Sequence, residues 1–218
     1  KLDADTTAKI FQGEITKWND PAIAALNPGV TLPSTTITVY HRADGSGTTA
    51  VFSGWLNNQA AGVWHLGVNE ELNWPNGEQG AQGSSGTTQG VEQTTGGITY
   101  AEQSYVKSPL QAAVIKNAKG QYVTISSQAV SQSVGTGYKS AGVNGGSMAF
   151  QKMAGYPIST VSFIVACQHY SNSSTGSAVQ KFLTWIITQG QTYATDLEYA
   201  PLASNVIASD KTLIAMIS

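Results

Sequence analysis

A β-branched run, Ile37-Thr38-Val39-Tyr40, leads through the polar turn Arg42-Ala43-Asp44-Gly45-Ser46-Gly47-Thr48-Thr49 into the helix-like stretch Ala50-Val51-Phe52-Ser53-Gly54-Trp55-Leu56. That strand–turn–helix order constrains the fold more than any other feature, because a strand feeding straight into a helix is the building unit of layered α/β proteins. The rest of the chain repeats the alternation. Strand-like segments are expected at 98–100, 110–115, 121–125 and 159–167, the third pairing with the second through Lys119-Gly120. Helices are expected from an Asp5 or Thr6 cap to about Gly13, after the Asp20-Pro21 start, and at 85–93, 177–189 and 206–217. Residues 126–155 are polar and carry no readable period. The reading is therefore an α/β layered fold.

The turn between the first strand and its helix holds the densest chemistry. A helix N-terminus leaves backbone N–H groups unpaired and carries about half a positive charge, so it attracts anions. Gly45 and Gly47 keep side chains out of the way of a close approach, and Ser46 and Thr48 add hydroxyl donors. Arg42 stands just upstream, with a planar fork that can hold two oxygens at once. Together they describe a cradle for a small tetrahedral oxyanion. Asp44 admits two roles: it orients Arg42, or it accepts a proton carried by the ligand.

Neighbouring residues exclude several other chemistries. The string Gly45-Ser46-Gly47-Thr48-Thr49-Ala50 fits the spacing of a dinucleotide fingerprint, but no buried strand ending in an acid follows the helix. A nucleophile elbow would need glycine at position 44. His41 adjoins Arg42 in a strand and should face the other way, while His65 and His169 have no carboxylate at ligand spacing, so neither metal nor cofactor is expected. Only 11% of the 218 residues are charged, against roughly 25% in an average soluble protein. Twenty-three glycines and many Ser, Thr, Asn and Gln residues take their place, a surface typical of secreted bacterial proteins. The net charge is −2 without a basic run, which removes a nucleic-acid footprint. Cys167 is alone and lies in an apolar run, so it is expected to be a small buried hydrophobe.

Over nearly its whole length the chain resembles the phosphate-binding proteins of bacterial high-affinity ABC phosphate transporters. The resemblance rests on Ile10-Phe11-Gln12-Gly13-Glu14-Ile15-Thr16-Lys17-Trp18-Asn19-Asp20-Pro21-Ala22-Ile23-Ala24-Ala25-Leu26-Asn27-Pro28-Gly29 and on the Arg42–Thr49 turn. Asn73-Trp74-Pro75, Gly97-Ile98-Thr99-Tyr100-Ala101-Glu102, Pro157-Ile158-Ser159 and Asp196-Leu197-Glu198-Tyr199-Ala200-Pro201-Leu202 add to it. It implies a two-lobed fold of the periplasmic-binding-protein type (type II) with phosphate in the cleft, bound without reaction. Arg42, Ser46, Gly47 and Thr48 are then the phosphate ligands, and Asp44 is the acid paired with the arginine. It further implies a periplasmic or cell-surface location and permease subunits as partners.

Family members begin with a further segment of roughly one hundred residues, so Lys1 is expected to fall where such a chain enters its second lobe. Residues 1–155 would be that lobe, nearly complete. Residues 156–218 would be the return to the first lobe, exposing an apolar face unless a missing segment or second chain covers it. A shell reduced in this way would bind phosphate poorly. Other readings are a receptor for sulfate, molybdate or tungstate, an enzyme acting on phosphate esters, and a surface interaction protein.

Overall fold

The computed structural model describes residues 1–218, which gather into two compact units, Lys1–Ile125 and Ser126–Ser218. The division lies ahead of the residue-155 boundary that the resemblance implies.

In the first unit, α1 (Ala4–Phe11) is capped by the Asp3 carboxylate, which accepts from the Thr6 amide at 3.0 Å. The cap therefore lies two residues before Asp5, because Asp3 has the extended backbone a capping residue needs. Helix α1 buries Ile10 and Phe11. Asp20 caps α2 (Pro21–Leu26) as expected, with proline at a first-turn position. The central strand β1 (Thr38–Arg42) is flanked by β2 (Gln79–Ala81) and β3 (Gly97–Ile98), both parallel to it. Helix α3 (Gly47–Gln59) connects β1 to β2, and α4 (Gly83–Gln93) connects β2 to β3. The spatial order β2-β1-β3 means the chain leaves β1 to one side and returns to the other. Such a reversal opens a crevice at the carboxyl ends of the strands, where α/β sheets bind ligands.

An aromatic core supports these strand ends. Phe11 meets Phe52 edge-on at 4.7 Å, and Phe52 stacks on Tyr100 at 4.6 Å with 13° between the rings. Trp55 and Leu56 on α3 are fully buried. His41 does face away from Arg42, as the strand alternation demands, and stacks on Trp74 at 5.0 Å. A short antiparallel pair, β4 (Ile115–Lys116) and β5 (Tyr122–Val123), completes the unit.

In the second unit, the stretch without a sequence period contains α5 (Ser127–Gly137), capped by Ser126, followed by the hairpin of β6 (Tyr138–Ser140) and β7 (Gly146–Met148). Gly155 packs so closely on α5 that a Cβ there would lie 1.9 Å from the Ala129 carbonyl oxygen. Helices α6 (Ser173–Ile186) and α7 (Ser204–Ile214) follow. The helix expected at 177–189 is α6, which begins earlier and ends at Ile186, and Phe182 of its apolar positions is exposed, as is Trp185.

Two expectations fail here. Residues 159–167 are not a strand, and Cys167 is exposed. An apolar run becomes a strand only beside a backbone that completes its hydrogen-bond ladder. No segment of this unit lies alongside, and Val165 is 96% exposed.

A candidate oxyanion seat at the strand ends

The site forms where β1 ends. Ala43 continues the parallel register by donating its amide to the Ala81 carbonyl at 2.9 Å, and the chain then turns into α3. Ser46 is the N-cap: its hydroxyl oxygen accepts from the Thr49 amide at 3.3 Å, and its own amide donates to the Glu70 carbonyl at 3.1 Å. Gly47 and Thr48 are the first two residues of the helix, so their amides have no intrahelical acceptor. A Cβ on Gly47 would meet nothing within 4 Å, which leaves the helix start open in front. Neither Gly45 nor Gly47 uses the left-handed conformation. Gly45 is small because a Cβ there would stand 3.1 Å from the Glu71 carboxylate.

Arg42 is held rigidly beside that helix start. Its Nε donates to Asp44 Oδ1 at 2.8 Å and its Nη2 to Asp44 Oδ2 at 2.5 Å, a two-pronged pair. Nη1 donates to the Ser84 hydroxyl at 3.2 Å. Asp44 Oδ1 also accepts the Gly83 amide at 3.0 Å, which ties the turn to the start of α4. Gly83 sits at φ 67°, a conformation that favours glycine, and this aims its N–H back at Asp44. The hydrogen bond to Asp44 raises the Arg42 pKa above its ordinary value, while the Arg42 and Gly83 donors hold the Asp44 carboxyl far below the usual carboxylate range. Both oxygens of Asp44 are thus occupied by protein donors, so the geometry favours its role as the anchor of Arg42. A guanidinium has five N–H donors. Three are engaged here and two remain on Nη1 and Nη2 for a ligand.

The chain after β3 contributes residues that sequence reasoning left without a role. The Tyr100 hydroxyl accepts the Arg42 amide at 3.2 Å and shares a hydrogen bond with the Thr49 hydroxyl at 2.7 Å. It thereby locks the end of β1 to the first turn of α3. Glu102 accepts the Thr48 hydroxyl at 2.7 Å. Burial pushes the Glu102 carboxyl up, but the Ser84 and Thr48 hydroxyls and the nearby Arg42 charge outweigh it, leaving it below its ordinary value. All four predicted ligands, Arg42, Ser46, Gly47 and Thr48, therefore lie within one turn and its helix start. Ser84, Tyr100 and Glu102 complete the surroundings. Ser84 follows β2 while Tyr100 and Glu102 follow β3, so all three reach the site through the parallel pairing of those strands with β1, which no local sequence pattern marks.

Set against known proteins, residues 1–189 match the model of a PBP superfamily domain. The phosphate-binding protein PstS of Pasteurella multocida is 36% identical over 214 residues, covering 95% of this chain and 61% of that protein. Phosphate-binding protein PstS 3 of Mycobacterium tuberculosis is 36% identical over 211 residues, with 92% and 56% covered. The chain thus spans about three-fifths of the curated relatives it matches. Among solved structures, a high-affinity periplasmic phosphate-binding protein (PfluDING) bound with phosphate superposes with a TM-score of 0.70 at 22% identity, covering 98% of this chain and 64% of that one. The phosphate-binding protein of Stenotrophomonas maltophilia gives 0.68 at 20% identity, with 97% and 64% covered. These superpositions show a shared fold.

Proposed function

This chain belongs to the PBP superfamily, and on that premise we propose that it binds inorganic phosphate outside the cytoplasm for delivery to the permease subunits of an ABC importer. One observation carries the reading. The Arg42 fork is fixed by Asp44 and Ser84 while two of its N–H groups stay free, beside a helix start whose Gly47 and Thr48 amides lack acceptors. Fixed donors around an open space suit a tetrahedral oxyanion, because a preorganised fork loses little entropy when it binds. The relatives that match along this chain are named for phosphate binding.

In this reading the phosphate accepts from Arg42, from the amides of Gly47 and Thr48, and from the Ser46 hydroxyl, while Asp44 stays on the arginine. No bond is made or broken. Ser46 has no base at hand to turn its hydroxyl into a nucleophile: its oxygen caps the helix, and Asp44 is bound on both sides. Residues 1–155 form the lobe that carries the seat, and residues 156–218 belong to the other lobe of a two-lobed receptor.

Equilibrium dialysis against radiolabelled phosphate tests this, with Arg42→Met as the comparison. Saturable uptake that disappears in the variant is expected. Absence of uptake at millimolar phosphate, or uptake indifferent to the substitution, would refute the proposal, and release of phosphate from a simple ester would refute the absence of chemistry.

A further inference from the structure

We propose that the groove between α6 and α7 is a second ligand site, which takes a carboxylate-bearing sugar unit of an acidic oligosaccharide. It lies wholly within the second unit and uses none of the residues assigned to the phosphate seat.

The groove has a volume of about 320 Å³, inside the range of roughly 300–1,000 Å³ in which small-molecule sites fall. Lys181, Thr184 and Trp185 of α6, Gln189 just beyond it and Lys211 of α7 line the groove, and no acid does. Lys181 and Trp185 stand four residues apart, so they share one face of the helix. Gln180 Nε2 donates to the Ile214 carbonyl at 3.2 Å, which ties the two helices together. Trp185 is 44% exposed, yet its neighbours fix it. Phe182 stacks against it with centroids 6.4 Å apart and 12° between the rings, and Tyr193 lies 6.3 Å away. A Cβ on Gly190 would stand 3.3 Å from Trp185 Cζ3, so the chain after α6 closes tightly on the ring.

Each of these groups matches a part of an acidic sugar. A pyranose ring carries C–H groups on its flat face, and the negative face of an indole attracts them. Two ammonium groups in a lining without acids attract the carboxylate. Thr184 gives its hydroxyl hydrogen to the Gln180 carbonyl at 2.7 Å, so its oxygen has only lone pairs left and accepts a sugar O–H. Gln189 turns Oε1 to the Thr188 hydroxyl at 2.9 Å, which leaves its Nε2 to donate to a sugar oxygen. An aryl carboxylate would use the indole and the lysines but would leave Thr184 and Gln189 idle. A neutral sugar would leave the lysines idle. A sugar acid engages all five side chains, and the exposure of Trp185 lets the rest of an oligosaccharide run out into solvent.

The test is a titration of the 218-residue chain with a galacturonate trimer and, separately, with its methyl ester, which has the same shape without the charge. Binding is followed through the amide signals of Thr184 and Gln189 and the indole N–H signal of Trp185, which registers weak binding as well as strong. The trimer should move all three signals saturably, and the ester should bind about tenfold more weakly, the equivalent of 1.4 kcal/mol. Lys181→Gln combined with Lys211→Gln removes two exposed charges and should close that gap, bringing the acid down to the level of the ester. Trp185→Ser, read through the two amides, should weaken acid and ester together. Equal binding of acid and ester overturns the proposal, as does a trimer affinity that survives the lysine pair or Trp185→Ser. Sulfate moving the same signals as strongly as the trimer would reduce the groove to an ionic patch and overturn it too. A trimer response confined to Gly47 and Thr48, or no response at all, has the same consequence for this site and leaves the test of the phosphate seat separate.

Discussion

Removing one oxygen atom, in Tyr100→Phe, tests how the seat is held together. The Tyr100 hydroxyl joins three pieces: the Arg42 amide at the end of β1, the Thr49 hydroxyl on the first turn of α3, and its own chain after β3. The ring itself stays, still stacked on Phe52 and tilted against Phe11. Packing is conserved, so the change isolates the hydrogen bonds. Thr49 is fully buried and Tyr100 is 7% exposed, so water cannot replace the lost partner. A buried polar group left unsatisfied costs about 1–3 kcal/mol. With two such groups, one of them near the surface, the first unit should lose about 2–4 kcal/mol. At a urea slope of about 2 kcal/mol per molar, that lowers the unfolding midpoint by roughly 1–2 M. Four of the five tryptophans, Trp18, Trp55, Trp64 and Trp74, lie in this unit, so intrinsic fluorescence follows it. Phosphate affinity should fall in parallel, because the arginine and the helix start are no longer fixed to one another. A midpoint shift near zero with unchanged slope would refute the reasoning, since it would mean that the hydroxyl bridges nothing that folding depends on.

Arg42→Lys keeps the charge but loses the fork, and phosphate binding should weaken about tenfold or more in equilibrium dialysis. Glu78 offers a pH test: burial pushes its carboxyl up to about 8, and neither oxygen has a hydrogen-bond partner. A raised folded-state value makes its contribution to stability complete below its ordinary value of 4.5 and progressively lost as pH climbs through about 8. Glu78→Gln should therefore flatten that part of the pH dependence of urea midpoints, with the largest gain over the parent above pH 8. In the second unit, Gly155→Ala would drive a Cβ into the Ala129 carbonyl, and overpacking of this kind typically costs about 1–3 kcal/mol. Amides of α5 should lose hydrogen-exchange protection while those of α3 keep theirs.

Local chemistry was legible from residue order, and long-range assembly was not. Asp20-Pro21 marked a helix start that the structure keeps, because a cap and a first-turn proline act within a few residues. The Arg42–Thr49 turn was legible for the same reason: the arginine, its acid and the helix start are contiguous. Ser84 and Glu102 reach the site only because β2 and β3 pair with β1 in parallel, across gaps of 42 and 54 residues. No periodicity records such pairing. The apolar run at 159–167 misled because hydrophobicity states a preference for burial, whereas a strand also requires a neighbouring backbone. Ser126 could have announced α5, yet the glycines and hydroxyls behind it carry little of the apolar stripe by which helices are recognised.

The account depends on one placement: a tetrahedral anion held between the Arg42 guanidinium and the opening turn of α3. A crystal of this chain grown with phosphate reports that placement directly. The expected density lies within about 3 Å of the Gly47 and Thr48 nitrogens and of Arg42 Nη1 and Nη2, with Asp44 still on the arginine. Phosphate bound elsewhere, or Arg42 swung off Asp44 with the helix start unoccupied, would contradict it.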